Sequence, residues 1–285
     1  MLAVHDFFDI SSFAHKELFH NLQYVWEALP RIKDYIKENI KPNVADLIRN
    51  GEMIEKTCVI YGGEVITDGF EIESGDVPKG KLKVMRNGSE LKGATVLYQG
   101  AVIFDANVYL GESTVVEPGA LIKGPTIVGN KTEIRQGAYL RGNCLVGDRC
   151  VVGHTTELKS AVMLDDAKAG HFAYLGDSIL GNDVNLGAGT KLANLKMNNS
   201  EVFIKIKDST YETGLRKFGA ILGDAVQMGC NSVTSPGALI GKSAMVYPAL
   251  TVPTGYYPPH CSIRPGKDYL TIITQRCELL CEFRL

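Results

Sequence analysis

A histidine interrupts an otherwise regular stretch of the chain. His171 lies in the segment KAGHFAYLGD, residues 168–177, among small and aromatic residues. An imidazole ionises near neutral pH and can therefore accept a proton from an attacking amine. It can equally be a polar residue that fills a break in a repeat and hydrogen-bonds to the backbone. The residue alone does not separate these two interpretations, so the elements around it have to be considered.

The segment before His171 follows a strict period of six residues, at which an apolar side chain recurs. This first series comprises Phe104, Leu110, Val116, Ile122, Val128, Ile134, Leu140, Val146, Val152, Leu158 and Leu164. Small residues that suit compact corners stand beside it, namely Gly111, Gly119, Gly129, Gly137, Gly147 and Gly153. After a shift of phase the period resumes as Tyr174, Leu180, Leu186 and Leu192, and later as Leu222, Met228, Thr234, Ile240, Val246 and Val252.

A period of six differs from the 3.6 of an α-helix and the 2.0 of a strand. It describes a short strand plus a turn, with one side chain per strand pointing to a common axis. Three such units make one triangular coil, whose strands pair with those of the neighbouring coils about 4.8 Å away. The pattern therefore predicts a mainly β protein, a parallel β-helix. The spacing does not set its hand, for which a right-handed crossover is the default.

The N-terminal region, residues 1–92, has a different pattern. Apolar residues recur at three- and four-residue intervals from Lys16 to about Ile40, which predicts a helix that Pro30 kinks or splits. A short second helix is predicted over residues 42–49, followed by a few short strands. Such a region can form an α-helical cap over the open end of a solenoid.

The β-helix is predicted over residues 93–265, with a tail at residues 266–285. Its repeat breaks at residues 196–217, KMNNSEVFIKIKDSTYETGLRK, where no six-residue unit fits. Apolar side chains alternate with polar ones inside this insertion, at Val202, Ile204 and Ile206. The alternation predicts a protruding β-arm, and insertions at the corners of a solenoid tend to lie on its binding face.

Composition limits the classes of partner. The 285 residues carry a formal net charge of -2, with 45% hydrophobic and 22% charged residues, which is ordinary for a globular domain. This charge gives no reason to expect nucleic acid or an anionic membrane as partner. No apolar run reaches the roughly 18 residues of a membrane span, and the acidic N-terminus MLAVHDFFDI does not resemble a signal peptide. A cytoplasmic protein is therefore expected.

The cysteines predict free thiols. The chain has seven, at positions Cys58, Cys144, Cys150, Cys230, Cys261, Cys277 and Cys281. The number is odd and no CxxC pair occurs, which favours a reducing compartment. Zinc needs a tighter Cys/His grouping than Cys277 and Cys281 provide, so no metal site is expected.

Two long segments carry a resemblance to a known family. Residues 157–196, ELKSAVMLDDAKAGHFAYLGDSILGNDVNLGAGTKLANLK, are similar to the acetyltransferase domain of bacterial bifunctional UDP-N-acetylglucosamine pyrophosphorylase/glucosamine-1-phosphate N-acetyltransferases. Residues 214–241, GLRKFGAILGDAVQMGCNSVTSPGALIG, resemble more closely the archaeal bifunctional sugar-1-phosphate nucleotidylyltransferase/acetyltransferases, which also carry an insertion there. The resemblance covers roughly residues 141–265.

The resemblance implies a left-handed β-helix that forms a homotrimer with active sites between subunits. It implies transfer of acetyl from acetyl-CoA to the amine of a hexosamine 1-phosphate. By position, the catalytic roles fall on His171 as general base, Asn194 as the group that positions it, and the Ala188 N–H as oxyanion donor. The resemblance assigns the substrate phosphate to Arg141 and Lys159, other substrate contacts to Tyr174, Asn185 and Lys217, and coenzyme contacts to Ala188, Cys230 and Arg264.

Some positions depart from the family. Leu195 replaces the tyrosine that follows the asparagine in the bacterial enzymes, and Cys230 replaces a coenzyme-contacting serine. These departures leave the identity of the sugar and the activity open. No glycine-rich phosphate loop of the LxxGxGTRM type precedes the repeat. The expectation is therefore acetyl transfer without a nucleotidyl transfer step.

Two other functions are compatible with a hexapeptide-repeat solenoid. One is a non-catalytic, regulatory or nucleotide-sugar-binding β-helix that binds a partner through its helical cap. The departures at Leu195 and Cys230 favour it, whereas the joint presence of His171 with the cationic residues argues against it. The other is a carbonic anhydrase, which needs three zinc-binding histidines. Only His154 and His171 lie in the coil, so this function is set aside.

Overall fold

The computed structural model describes residues 2–48 and 51–266, together with the strand Thr271–Gln275. They form a left-handed parallel β-helix of about 9 coils, with few helices. Each complete coil contributes one strand to each of three sheets, which we call faces A, B and C in the order in which the chain visits them. The predicted fold class is confirmed, in the left-handed form that the resemblance implied.

The strands of each face stack in parallel along the solenoid. Face A contains Thr95–Leu97, Val115–Val116, Glu133–Ile134, Val151–His154, Lys168–His171, Asn185–Leu186, Gln227–Met228, Met245–Val246 and Cys261–Pro265. Face B contains Val102–Ile103, Leu121–Ile122, Tyr139–Leu140, Glu157–Lys159, Tyr174–Gly176, Lys191–Leu192, Val233–Thr234 and Thr251–Val252. Face C contains Val108–Leu110, Thr126–Val128, Cys144–Val146, Ala161–Met163, Ile179–Leu180, Ala220–Leu222, Ala238–Ile240 and Gly255–Tyr257.

Coil length explains where the six-residue series fails. Three units of six make 18 residues, the interval at which Glu133 pairs with Val151. The first coil is one residue longer, so that Ile103 and not Phe104 points inward, and Phe104 is 44% exposed. Later coils are one residue shorter, which brings Met163 and Leu175 into the inward positions predicted for Leu164 and Tyr174.

The other members of the series are buried along the axis. They share one continuous core with inward residues from all three faces, including Leu110, Ile122, Leu140, Leu158, Leu186, Leu222, Ile240 and Val252. A glycine column at the corner between faces C and A lets successive coils approach. A Cβ on Gly111 would lie 2.5 Å from the carbonyl carbon of Gly129, and one on Gly129 would lie 2.5 Å from that of Gly147.

The N-terminal segment lies along the outside of face C. It contains the α-helices Val4–Phe7 and Ala28–Asn39 and the 3₁₀ turns Lys16–Phe19, Val25–Glu27 and Ala45–Leu47. Its apolar side chains form a second core with the outward residues of face C, which include Phe7, Phe8, Trp26, Ile32 and Ile36 on one side and Ile127, Leu145, Val162, Ile179, Ile221 and Leu239 on the other. We call this second core the lateral layer.

The predicted N-terminal helices are shorter than expected. The long helix begins at Ala28, with Pro30 in its first turn, where the missing N–H of proline costs no intrahelical hydrogen bond. Upstream of it only 3₁₀ turns form, because the apolar residues there meet the curved lateral layer instead of one straight face. The second helix is reduced to the single turn Ala45–Leu47.

Other residues close the N-terminal end of the solenoid. Val44, Leu47 and Ile54 contribute to the axial core, next to the antiparallel hairpin Cys58–Tyr61 and Glu64–Ile66 that extends face A. A separate three-stranded sheet follows, formed by Glu71–Glu73, Lys83–Arg86 and Ser89–Glu90. At the other end Thr271–Gln275 pairs antiparallel with the last strand of face A. The N-terminal cap therefore has two parts, one lateral and one terminal.

The insertion forms the β-arm that its alternation predicts. Its hairpin pairs Phe203–Ile206 with Ser209–Glu212. The prediction that it protrudes is wrong, because Val202 and Ile204 are fully buried in the lateral layer. The Tyr211 ring also lies edge-on to Trp26, with the ring centres 6.4 Å apart.

The cysteines of the described chain are free thiols. Four of them, Cys58, Cys144, Cys150 and Cys261, are buried, and Cys230 is exposed. Burial raises the pKa of Cys58 to about 11, so this thiol stays protonated and unreactive. Cys277 and Cys281 lie outside the described residues. In the part of the chain that the structure describes, no helix has both the length and the apolar character of a membrane span.

Candidate active site

The outer surface of face B carries two columns of side chains. The middle residue of each strand points inward, so the residues before and after it point outward. One column contains Tyr139, Glu157, Tyr174 and Lys191, and the other contains Lys123, Arg141, Lys159, Gly176 and Ala193. Stacking of the coils thus places residues 16 to 18 positions apart about 4.8 Å from one another.

Arg141, one of the two predicted phosphate-binding residues, forms an ion pair on this surface. Its Nη1 lies 2.7 Å from Oε1 of Glu157, on the next coil. The hydrogen bond to this carboxylate raises the pKa of Arg141. Only one of the five guanidinium N–H groups is needed for this contact, so the others remain able to bind an anion.

Lys159, the other predicted phosphate-binding residue, belongs to a chain of polar contacts. Its Nζ donates to both carboxylate oxygens of Asp177, at 3.0 and 2.7 Å, and both side chains are mostly buried. The amide Nδ2 of Asn194 donates to the same carboxylate, and the Tyr174 hydroxyl donates to Oδ1 of Asn194 at 3.4 Å. Burial raises the pKa of Tyr174, so its hydroxyl remains a hydrogen-bond donor at neutral pH.

Gly176 provides the space in which this polar chain forms. A Cβ at this position would lie 2.6 Å from the Tyr174 hydroxyl oxygen and 2.7 Å from Cγ of Asn194. Any side chain here would therefore displace the two groups that contact each other above the glycine.

We expect Gly176→Ala to reduce kcat/KM by about tenfold or more, because displacements of about 1 Å in a site are costly. The groups that must move are the ends of side chains, so the free energy of unfolding should change by less than about 1 kcal/mol. Urea unfolding and steady-state kinetics on the same preparation test this separation. Equal activity of the variant and the wild type would contradict the role given to the polar chain.

His171 ends a strand of face A at the edge that faces face B. It is exposed, and it pairs in register with His154 one coil earlier. The His154 ring is tied to its own chain, with Nδ1 3.0 Å from the Gln136 carbonyl oxygen and Nε2 3.2 Å from the Thr155 hydroxyl. Within the described chain the His171 ring has no hydrogen-bond partner, and only the Phe172 ring packs near it, at 6.4 Å. His171 is therefore not held as a structural histidine, whereas His154 is.

The other residues predicted to act on the acetyl group continue the position of His171. Because Lys168 pairs with Asn185 and Asn185 with Gln227, residues 171, 188 and 230 occupy equivalent places on successive coils. The Gly189 N–H donates to the His171 carbonyl at 3.0 Å, and the Asn231 N–H donates to the Ala188 carbonyl at 2.8 Å. We call His171, Ala188 and Cys230 the A–B edge column. The Ala188 N–H has no acceptor among the described residues.

The remaining predicted residues lie at three places. Asn185 is exposed on face A, next to the A–B edge column. Arg264 is exposed on the last strand of that face, two coils beyond Cys230 along the solenoid. Lys217 lies at the base of the arm, where it forms a backbone bridge with Leu195 beside Asn194.

Asn194 does not contact His171 in the described chain. Its amide is occupied by Asp177 and Tyr174 at the edge between faces B and C, whereas His171 lies at the opposite edge of face B. The structure thus places Asn194 with the predicted phosphate-binding residues and apart from the predicted base. The sequence analysis missed Glu157 and Asp177, although an interval of 16 to 18 residues from Arg141 and Lys159 could have indicated them.

Comparison with known families assigns the coil to one of them. Residues 122–265, 144 of 285, match the family described as GMPPB C-terminal domain. The chain belongs to this family. The matched segment of this GMPPB C-terminal domain protein contains every predicted site residue, from Arg141 to Arg264.

Curated relatives support the predicted resemblance, which is confirmed. The chain is 40% identical over 101 residues to the bifunctional sugar-1-phosphate nucleotidylyltransferase/acetyltransferase of Sulfurisphaera tokodaii, covering 35% of this chain and 25% of that protein. It is 30% identical over 181 residues to the uncharacterized acetyltransferase YaiX of Escherichia coli strain K12, covering 62% and 77%. The matched segment is thus about a quarter of the bifunctional relative. Among solved structures, the UDP-N-acetylglucosamine acyltransferase from Campylobacter jejuni matches 62% of this chain and 73% of its own, at 17% identity and a TM-score of 0.39.

Proposed function

We propose that this hexapeptide-repeat protein is an N-acetyltransferase that moves acetyl from acetyl-CoA to the amine of a hexosamine 1-phosphate. One observation carries the proposal: the A–B edge column lies across face B from the cations Arg141 and Lys159. An acceptor that spans face B would meet a base at one edge and phosphate-binding groups at the other. The relatives whose names include acetyltransferase support this activity.

The A–B edge column suits the acetyl donor. The acceptor amine attacks the thioester carbonyl carbon, His171 takes the proton that the amine loses, and the C–S bond breaks to release the coenzyme thiol. The His171 ring can take this role because no group of the described chain competes for its nitrogens. The unpaired Ala188 N–H can stabilise the oxyanion of the intermediate. Cys230 and Arg264, further along the same edge, are assigned to the coenzyme.

The opposite edge suits the phosphate of the acceptor. Arg141 and Lys159 keep unused N–H groups while they remain paired with Glu157 and Asp177. These ion pairs fix the two cations before the ligand arrives, which reduces the entropic cost of binding. Tyr174, Asn185 and Lys217 lie near enough to supply further contacts to the sugar.

The proposal includes a homotrimer with sites between subunits. Face C is covered by the lateral layer of the same chain, whereas faces A and B remain open beside the A–B edge column. A neighbouring copy that packs against this edge would enclose the acetyl donor. Light scattering of the purified protein measures the assembly, and a monomer that is fully active would contradict this part.

A substrate panel tests the activity. Purified protein is mixed with acetyl-CoA and with amino-sugar 1-phosphates that differ in the sugar, and release of the coenzyme thiol is measured. N-Acetylglucosamine 1-phosphate serves as the matched control, since it has the phosphate but lacks the free amine. Thiol release with none of the amines would overturn the proposal in favour of a non-catalytic β-helix that binds its ligand on face B.

A further inference from the structure

A third cation continues the column of Arg141 and Lys159. Lys123 occupies the equivalent place one coil nearer to the N-terminal end, and its backbone N–H donates to the Leu140 carbonyl at 2.8 Å. Three cationic side chains therefore follow one another along the edge between faces B and C, about 4.8 Å apart. Phe104 takes the next place in the same column. The sequence analysis gave no role to either Lys123 or Phe104.

Lys123 differs from the other two cations in its neighbours. Its Nζ lies 4.5 Å from the centre of the Phe104 ring and 5.7 Å from that of Tyr139. Arg141 and Lys159 each have a carboxylate partner, but no carboxylate of the described residues forms an ion pair with Lys123. Cation–π contacts hold the ammonium without neutralising its charge. Lys123 is thus the uncompensated positive charge of the column.

The aromatic rings make a second feature of this surface. Phe104 is 44% exposed, although it is apolar. Tyr139 lies between Lys123 and Arg141, whose guanidinium carbon is 5.9 Å from the tyrosine ring centre. Rings of this kind offer a face on which a nucleobase can stack. The edge therefore alternates aromatic and cationic groups over the three coil spacings from Phe104 to Lys159, about 14 Å.

We propose that this edge binds a nucleoside diphosphate, with the base on Phe104 and the two phosphates at Lys123 and Arg141. The proposal rests on the proposed function and deepens it: the preferred acceptor is an amino sugar carried on a nucleoside diphosphate, whose sugar extends past Lys159 towards His171. A diphosphate matches two neighbouring cations better than a single phosphate does, because each phosphate then has its own partner.

The extent of the column favours a small ligand over a polymer. It ends at Gly176, which has no side chain to continue it, and Phe104 closes it at the other end. The chain as a whole carries a formal net charge of -2, so it lacks the long basic surface that a nucleic acid requires. Three cations and two rings correspond to one nucleotide-sized ligand.

Direct binding measurements test the proposal without depending on catalysis. UDP, GDP, pyrophosphate and glucosamine 1-phosphate are titrated by calorimetry into the wild type and into Lys123→Met. We expect a nucleoside diphosphate to bind the wild type, and Lys123→Met to weaken this binding by about tenfold. Binding of glucosamine 1-phosphate should change by less than about twofold. Lys33→Met, which removes an exposed lysine from the lateral layer, serves as the matched control and should bind like the wild type.

A second variant separates the base from the phosphates. Phe104→Leu should weaken UDP or GDP severalfold and leave pyrophosphate binding unchanged, because pyrophosphate has no base to stack.

The proposal is overturned if neither nucleoside diphosphate binds, or if Lys123→Met binds them as well as Lys33→Met does. Acetyl transfer to sugar 1-phosphates without such binding would overturn this inference alone. Binding that depends on Lys123, without acetyl transfer to any amine, would overturn the proposed function and leave the diphosphate site supported.

Discussion

Replacement of His171 by alanine should lower kcat by at least about 10², the contribution expected of a general base. The imidazole is the proposed acceptor of the proton that the amine loses, and the described chain offers it no hydrogen-bond partner that would suggest a structural role. Binding of the acceptor should change much less than kcat, since Arg141 and Lys159 lie at the opposite edge of face B. Steady-state kinetics with thiol release as the signal measures both quantities.

His154 is a matched control for this prediction. It occupies the equivalent place one coil away, and its ring is bonded to the Gln136 carbonyl and to the Thr155 hydroxyl. His154→Ala should therefore keep kcat within about threefold of the wild type and lose some stability, of the order of one hydrogen bond, about 1 kcal/mol. A decrease of less than tenfold in His171→Ala, or equal decreases in both variants, would remove His171 from the role of base.

Gly153→Ala should be the most destabilising single methyl addition in the coil. A Cβ at Gly153 would lie 1.8 Å from the carbonyl oxygen of Gly170 and 2.1 Å from its carbonyl carbon. These atoms belong to the backbone of the next coil and cannot rotate away. The two coils would have to separate, at a cost of about 3 kcal/mol or more in the free energy of unfolding. Urea unfolding followed by circular dichroism measures the loss.

Gly170 provides the comparison, because it faces Gly153 in the same register. A Cβ there would meet no heavy atom within 4 Å. Gly170→Ala should therefore change the free energy of unfolding by less than about 1 kcal/mol, and it can be slightly stabilising because alanine restricts the unfolded chain. Equal stability of the two variants would show that the coils are not stacked as described. Since His154 and His171 follow these glycines, Gly153→Ala should also reduce activity.

The period of six predicted the coil because the inward side chains depend mainly on local strand and turn geometry. It could not predict the coil length, which varies by one residue in either direction. A single extra residue moved Phe104 to the surface, and one residue fewer exchanged Tyr174 for Leu175 at the axis. Each exchange depends on pairing between coils, which a fixed spacing does not contain.

The candidate site was predictable only in part for a related reason. The resemblance indicated His171, Arg141 and Lys159, but the partners of these cations depend on which residues share a column. Glu157 and Asp177 became evident when the coils were stacked. The lateral position of the N-terminal segment was also beyond the sequence, since nothing in its helical spacing indicates whether its partner is an open end or the side of a sheet.

The lateral layer also sets an order of events during synthesis. Each coil needs only its neighbours, which emerge 17 to 19 residues later. By contrast, the carbonyl of Phe7 accepts a hydrogen bond from the N–H of Asp224, and the Phe7 ring meets that of Tyr256. At ordinary rates of translation these partners follow roughly 10 to 40 s after Phe7 leaves the ribosome. During that interval the nascent chain carries an exposed aromatic segment, which is a site for chaperones to bind until the solenoid behind it has grown long enough to cover it.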